Sequence, residues 1–120
     1  MTTSAALLCM AMAVYHEARS EPLAGQVAVA HVVLNRAASD LYPDDICGVV
    51  TQPRQFSFDW HAPRNVQAWE QSVMVAESVL RGDTVDPTGG ALWYHRHDLQ
   101  VAWSRGKRGQ QIGEHIFWRH

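Results

Sequence analysis

The chain has 120 residues, enough for one domain and too few for two independent cores. Hydrophobic residues make up 47% and charged residues 18%, so there is apolar material for one core and none of the charge excess of a disordered chain. Ten Lys and Arg against twelve Asp and Glu give a net charge of -2, which excludes a broad positive field for nucleic acid or an anionic membrane surface.

The apolar run Ala5 to Val14 has the length of a signal-peptide core, but no Lys or Arg precedes it. Its helical spacing continues through Tyr15, His16, Glu17, Ala18 and Arg19, so we read it as a core helix and expect no signal peptide. No stretch approaches the ~20 apolar residues of a membrane span, so no membrane insertion is expected. Cys9 and Cys47 allow at most one disulfide, and with no secretion signal buried free thiols are expected.

In chain order, Leu7, Met10, Ala11, Val14 and Ala18 recur at helical spacing and predict a helix from Ser4 to Ala18, capped by Thr3 or Ser4. Ser20-Glu21-Pro22 interrupts, and the apolar run from Gln26 to Leu34 predicts a second, more buried helix to about Arg36. Asp44 or Asp45 caps a short helical piece through Ile46, Val49 and Val50, ended by Gln52-Pro53. Arg54 to Pro63 carries Phe56, Phe58 and Trp60 without helical period and predicts a loop packed by its own aromatics. Trp69, Val73, Ala76, Val79 and Leu80 mark a long helix from about Asn65 to Arg81, stopped by Gly82. After the turn cluster Asp86-Pro87-Thr88-Gly89-Gly90, Ala91 to His95 and Gly113 to Trp118 predict one antiparallel pair, with Ser104 to Gln111 as a loop. The fold class is therefore α+β, mostly helical with a small antiparallel β-hairpin near the C-terminus.

Glu17 is the residue least explained by packing. It sits on the edge of the buried stripe, in the last turn of its helix, where burial and the negative end of the helix dipole both disfavour the anion and are expected to raise its pKa. Such a carboxyl can donate a proton at neutral pH. Glu21 lies at the positive end of the next helix, which favours its ionised form, so the pair has the pattern that separates acid and base roles. The structural alternative pairs Glu17 with Arg19 or His16 and makes Glu21 a capping residue. His95-Arg96-His97 and His16 invite a metal reading, but His-Glu-Ala-Arg-Ser lacks the second His of a zinc-protease helix, and no metal or other cofactor is expected. There is no Gly-x-Ser-x-Gly elbow and no phosphate loop. Flat aromatic rings suit sugar faces, and Trp60 and Trp103, outside the confident elements, are candidates for lining a groove, whereas Trp69 reads as core.

Four segments, YHEARSEPLAGQVAVAHVVLNR from Tyr15, VVTQPRQFS from Val49, DPTGGALWY from Asp86 and IGEHIFW from Ile112, are similar in order and spacing to the cell wall hydrolase family typified by bacterial spore-cortex lytic enzymes. The resemblance implies a single lysozyme-like catalytic domain acting on peptidoglycan glycan strands as a monomer, with Glu17 as the catalytic acid and Glu21 as an ionised support. It implies lytic transglycosylase chemistry between N-acetylmuramic acid and N-acetylglucosamine, with Gln55, Phe56, Thr88 and Tyr94 near the groove. Gly25, Gln26 and Asn35 match as well, Gly25 through close packing and Asn35 as a helix-end cap. Ser20 stands where the family is expected to carry glycine, and Arg96-His97 where it tends to carry Asn-Pro, so cortex-specific detail does not transfer. Without a signal or a wall-binding module, the expected setting is a phage or prophage lysin, cytoplasmic until released or carried in a virion. Two rivals remain: an amidase that cuts the peptide stem, and a non-catalytic glycan-binding module.

Overall fold

The computed structural model describes residues 4–53, 62–99 and 109–119. Four helices, α1 (Ala5–Ala18), α2 (Leu23–Ala37), α3 (Ile46–Thr51) and α4 (Val66–Leu80), precede three strands, β1 (Trp93–Arg96), β2 (Gln110–Ile112) and β3 (His115–Trp118). The helix boundaries follow local chemistry. Ser4, Asp45 and Asn65 each accept a first-turn N–H, from Leu7, Gly48 and Ala68. Past Leu80, Gly82 takes a left-handed φ of 80°, which terminates α4.

The core has two parts. Met10, Val14, Val33, Val49, Val75 and Val79 join α1, α2, α3 and α4 in one cluster, with Trp69 packed half-buried against it. Ala18, Ala28, Val29, Val32, Ala91 and Phe117 make a second cluster between α2 and the sheet. Because α2 serves both clusters, it is apolar on nearly all sides, which is why its sequence from Val27 to Leu34 is apolar except for the buried His31. Small residues on α1 and α2, Ala11, Ala13, Ala28 and Ala30, all fully buried, let the helices approach closely.

Two expectations are corrected. The sheet has three antiparallel strands in the order β1-β3-β2, since Gln110 to Ile112 pairs with β3 instead of continuing the expected loop. Only Ile112 in that stretch is apolar, and Gln110 and Gln111 are exposed, as an edge strand allows. Cys9 and Cys47 are joined in a disulfide rather than kept as free thiols, because α3 lays Cys47 across α1 with the two Cα atoms 5.2 Å apart.

Candidate active site

The corner between α1 and α2 carries the first candidate. Glu17 lies half-buried in the last turn of α1, whose buried neighbours Val14 and Ala18 fix the helix against the core. Arg36, in the last turn of α2, is buried with 4% of its surface exposed. Its Nε donates to the Leu92 carbonyl at 2.7 Å, and its guanidinium sits over the Tyr42 ring, 5.0 Å from the centroid. Burial lowers the guanidinium from its ordinary value, and the negative charges available to Tyr42, Tyr94 and Glu17 oppose that. Tyr94 on β1 completes the group. Burial drives its phenol strongly upward, the Glu17 charge adds to the rise, and Arg36 offsets part of it. The phenol therefore stays protonated at any working pH, a hydrogen-bond donor beside a carboxyl with a buried cation in reach. Arg19, offered by the structural alternative as a partner of Glu17, stacks over the Tyr15 ring at 4.8 Å and donates to the Tyr15 carbonyl.

Glu21 is used differently. It is buried, and α2 has Pro22 as its N-cap and no side-chain cap, so Glu21 does not cap the helix as the structural alternative supposed. Its Oε1 accepts from the Glu114 N–H at 2.8 Å and lies 3.3 Å from His115 Nδ1, fastening the β2–β3 turn to the α1–α2 corner. Glycine is required at position 113 beside this carboxylate, and position 25 is tight. A Cβ at Gly113, whose φ is +62°, would stand 2.6 Å from Glu21 Oε1, and one at Gly25 would stand 3.1 Å from Glu21 Cβ. Gln26 donates from Nε2 to the Glu21 carbonyl at 3.1 Å, closing the corner from below.

The turn after α4 is the third component. Burial would raise the Asp86 carboxyl, but hydrogen bonds from Asn35, Thr88 and the Thr88 and Gly90 N–H groups outweigh it and hold Asp86 below the usual carboxylate range. Asn35 thus ties α2 to this turn, also donating to the Ala91 carbonyl at 3.1 Å, and does not cap its own helix. The Thr88 hydroxyl donates to Asp86 at 2.7 Å and accepts from the Ala91 N–H at 3.0 Å, so its polar tip is engaged within the turn. Thr88 nonetheless lines a cavity of about 290 Å³ together with Gly89, Gly109, Gln110, Phe117 and Arg119. The Phe117 ring lies 5.4 Å from that of Tyr94, so the cavity is one side chain removed from the Glu17 corner.

Two buried histidines give the domain an acid-sensitive margin. His31 shares a 2.7 Å hydrogen bond with Thr84 Oγ1, and burial lowers its pKa, partly opposed by Asp86. Burial also lowers that of His115, opposed by Glu21. In the unfolded chain each takes up a proton near pH ~6.5, whereas the fold holds each neutral to lower pH. The unfolded state thus binds more protons in that window, and stability falls as pH drops below about 6.5. The melting temperature is expected to fall between about pH 7.5 and 5.5, less steeply in a His31→Gln/His115→Gln variant; equal slopes would contradict this.

Of the residues expected from sequence, Tyr94 lies within electrostatic reach of Glu17, and Thr88 lines the cavity beside Phe117. Gln55, Phe56, Trp60 and Trp103 lie outside the described residues. His95 stacks on Trp118 at 5.9 Å and His97 pairs with Glu114 at 2.9 Å; among the described residues no three His, Cys, Asp or Glu side chains converge as metal ligands. Arg36 and His115 were not singled out by the sequence. Arg36 reads there as an ordinary cation at a helix C-terminus, and His115 as one polar residue in an alternating strand.

The family described as Cell Wall Hydrolase matches residues 20–118, and the chain belongs to that family. It is 45% identical over 115 residues to the spore cortex-lytic enzyme of Oceanobacillus iheyensis, covering 90% of this chain and 39% of that protein. It is 40% identical over 114 residues to the spore cortex-lytic enzyme of Bacillus subtilis, covering 90% of this chain and 35% of that protein. The chain thus spans well under half the length of these relatives. The catalytic domain of the germination-specific lytic transglycosylase SleB from Bacillus anthracis superposes with a TM-score of 0.73 at 36% identity, over 97% of this chain and 95% of that domain. The catalytic domain of Bacillus cereus SleB does so with a TM-score of 0.72, also at 36% identity, over 93% of this chain and 88% of that domain. The chain therefore has the α+β, lysozyme-like architecture of these catalytic domains and is a member of the cell wall hydrolase family.

Proposed function

We propose that the domain cleaves the glycosidic bond between N-acetylmuramic acid and N-acetylglucosamine as a lytic transglycosylase, with Glu17 as its single acid/base. The observation that carries this reading is the division of labour between the two carboxyls. Glu21 is held by the Glu114 N–H and His115, while Glu17 stands beside the neutral Tyr94 phenol with the Arg36 cation in electrostatic reach. Hydrolysing glycosidases generally place two carboxyls across the scissile bond. A single carboxyl suffices when the nucleophile belongs to the substrate.

Glu17 donates its proton to the departing glycosidic oxygen as the bond to the muramyl anomeric carbon breaks. The resulting carboxylate takes the proton of the muramyl C6 hydroxyl, whose oxygen closes on that carbon and leaves a 1,6-anhydro ring. No water is consumed, and the carboxyl is regenerated. The intramolecular hydroxyl brings the effective-concentration advantage of a tethered nucleophile. Arg36 makes the transient carboxylate tolerable in a half-buried site, and the Tyr94 hydroxyl supplies a donor for substrate or carboxylate. Glu21 acts at one remove by fixing the turn that backs Tyr94 and His115. Gln55, Phe56, Trp60 and Trp103 are proposed as the groove, with the domain working as a monomer on wall reached after release.

Digesting purified sacculi and identifying the soluble fragments by mass spectrometry tests the proposal. Fragments ending in 1,6-anhydromuramic acid are expected, with chelator present or absent. Freed stem peptides and chelator sensitivity would establish an amidase instead, and pelleting with sacculi without soluble fragments a binding module.

A further inference from the structure

The cavity beside Phe117 carries a cation, Arg119, for which no salt-bridge partner is found among the described residues. Its lining is mostly backbone and neutral side chains, and the charged group is Arg119, exposed at the mouth. Among the described residues no carboxylate pairs with Arg119: Glu21 holds the β2–β3 turn, Glu114 pairs with His97, and Asp98 pairs with Arg96. Asp86, the acid of the adjoining turn, has both oxygens committed inward to Asn35, Thr88 and Gly90. Gly89 and Gly90, at φ of 65° and 98°, carry no side chain into this space, and a Cβ on Gly89 would come to 3.9 Å from Arg119 Nη1. The result is a polar recess with a guanidinium fork at one wall and no carboxylate among its described lining residues.

We infer that this cavity is a subsite for a carboxylate of the peptide stem carried by the muramyl residue, bound by Arg119. The inference rests on the glycan-cleaving reading above and deepens it. N-acetylated hexosamine rings are neutral, so the carboxylates of such a substrate lie on the lactyl-linked stem. A guanidinium matches a carboxylate in a two-pronged hydrogen bond better than it matches hydroxyl or acetamido groups. The recess adjoins Phe117 on β3, the strand that pairs with β1 and sets the Phe117 ring 5.4 Å from that of Tyr94, so the recess and Tyr94 belong to the same small sheet.

The test compares glycan strands bearing stems with the same strands stripped of stems by an amidase, the lactyl carboxylate that the amidase frees on each muramyl residue being capped as its methylamide, using the wild-type domain, Arg119→Ala and Arg119→Lys. The wild type is expected to favour stem-bearing strands in kcat/KM, Arg119→Ala to lose about tenfold of that preference, and Arg119→Lys to keep much of it. A preference unchanged in Arg119→Ala, or equal losses on both substrates, would overturn the inference. A readout independent of turnover is the addition of isolated stem peptide followed by amide NMR. Shifts at Gly89 and Gly90 are expected in the wild type and not in Arg119→Ala, and their absence in the wild type would overturn the subsite. A wild type that cleaves neither substrate yet shows these shifts would overturn the glycan-cleaving reading and leave the subsite standing.

Discussion

Glu17→Gln is expected to lower kcat/KM on sacculi by about 10²–10⁴-fold while leaving the melting temperature within a few degrees of wild type. Gln keeps the size and hydrogen-bonding shape of the side chain but can neither donate a proton to a departing oxygen nor recover one. Because Glu17 is half-buried at the end of α1, and Val14 and Ala18 carry the packing around it, little of the fold depends on its charge. A structural carboxyl would give the reverse pattern, a loss of stability with turnover retained per folded molecule. Glu21→Gln supplies that contrast: it weakens a buried charge-assisted bond to the Glu114 N–H, so it acts on the β2–β3 turn first and on turnover through it.

Removing the Cys9–Cys47 bond has the largest expected effect on stability. The crosslink joins residues separated by 38 positions, and in the chain-entropy account a loop of that length restrains the unfolded chain by about 3–4 kcal/mol. That is a large share of the ~5–15 kcal/mol that holds a domain of this size folded. Urea unfolding of the Cys9→Ser/Cys47→Ser variant, and of the wild type with reductant, should show the loss together with a steeper dependence on urea, because the released unfolded chain exposes more surface. A difference below about 1 kcal/mol would mean that α3 is held on α1 by Ile46, Val49 and Val50 alone.

Much of the helical architecture was legible because its signals are local. Ser4, Asp45, Asn65 and Gly82 mark helix ends by chemistry that acts within one turn, and the apolar spacing of α1 and α4 marks their buried faces. Glu17 was legible for the opposite reason, as a carboxyl that breaks a buried stripe. What the sequence did not carry is long-range. Glu21 finds its partner 93 positions away, Asn35 finds Asp86 51 positions away, and Arg36 finds Leu92 56 positions away. A two-residue glance at any of these reads a cap or a surface charge. The disulfide was misjudged because a rule about compartments was applied where the distance between α1 and α3 decides. The third strand was missed because Gln110 and Gln111 lie on an exposed edge, where alternation is weak.

In the proposed mechanism one carboxyl at position 17 suffices because the substrate brings its own nucleophile. Digestion of sacculi in ¹⁸O-enriched water, with mass spectrometry of the muramyl ends, separates this from hydrolysis. The expected products are 1,6-anhydro ends that carry no heavy oxygen, whereas ¹⁸O at a new reducing muramyl end would mean that water attacks and a second catalytic group must be found.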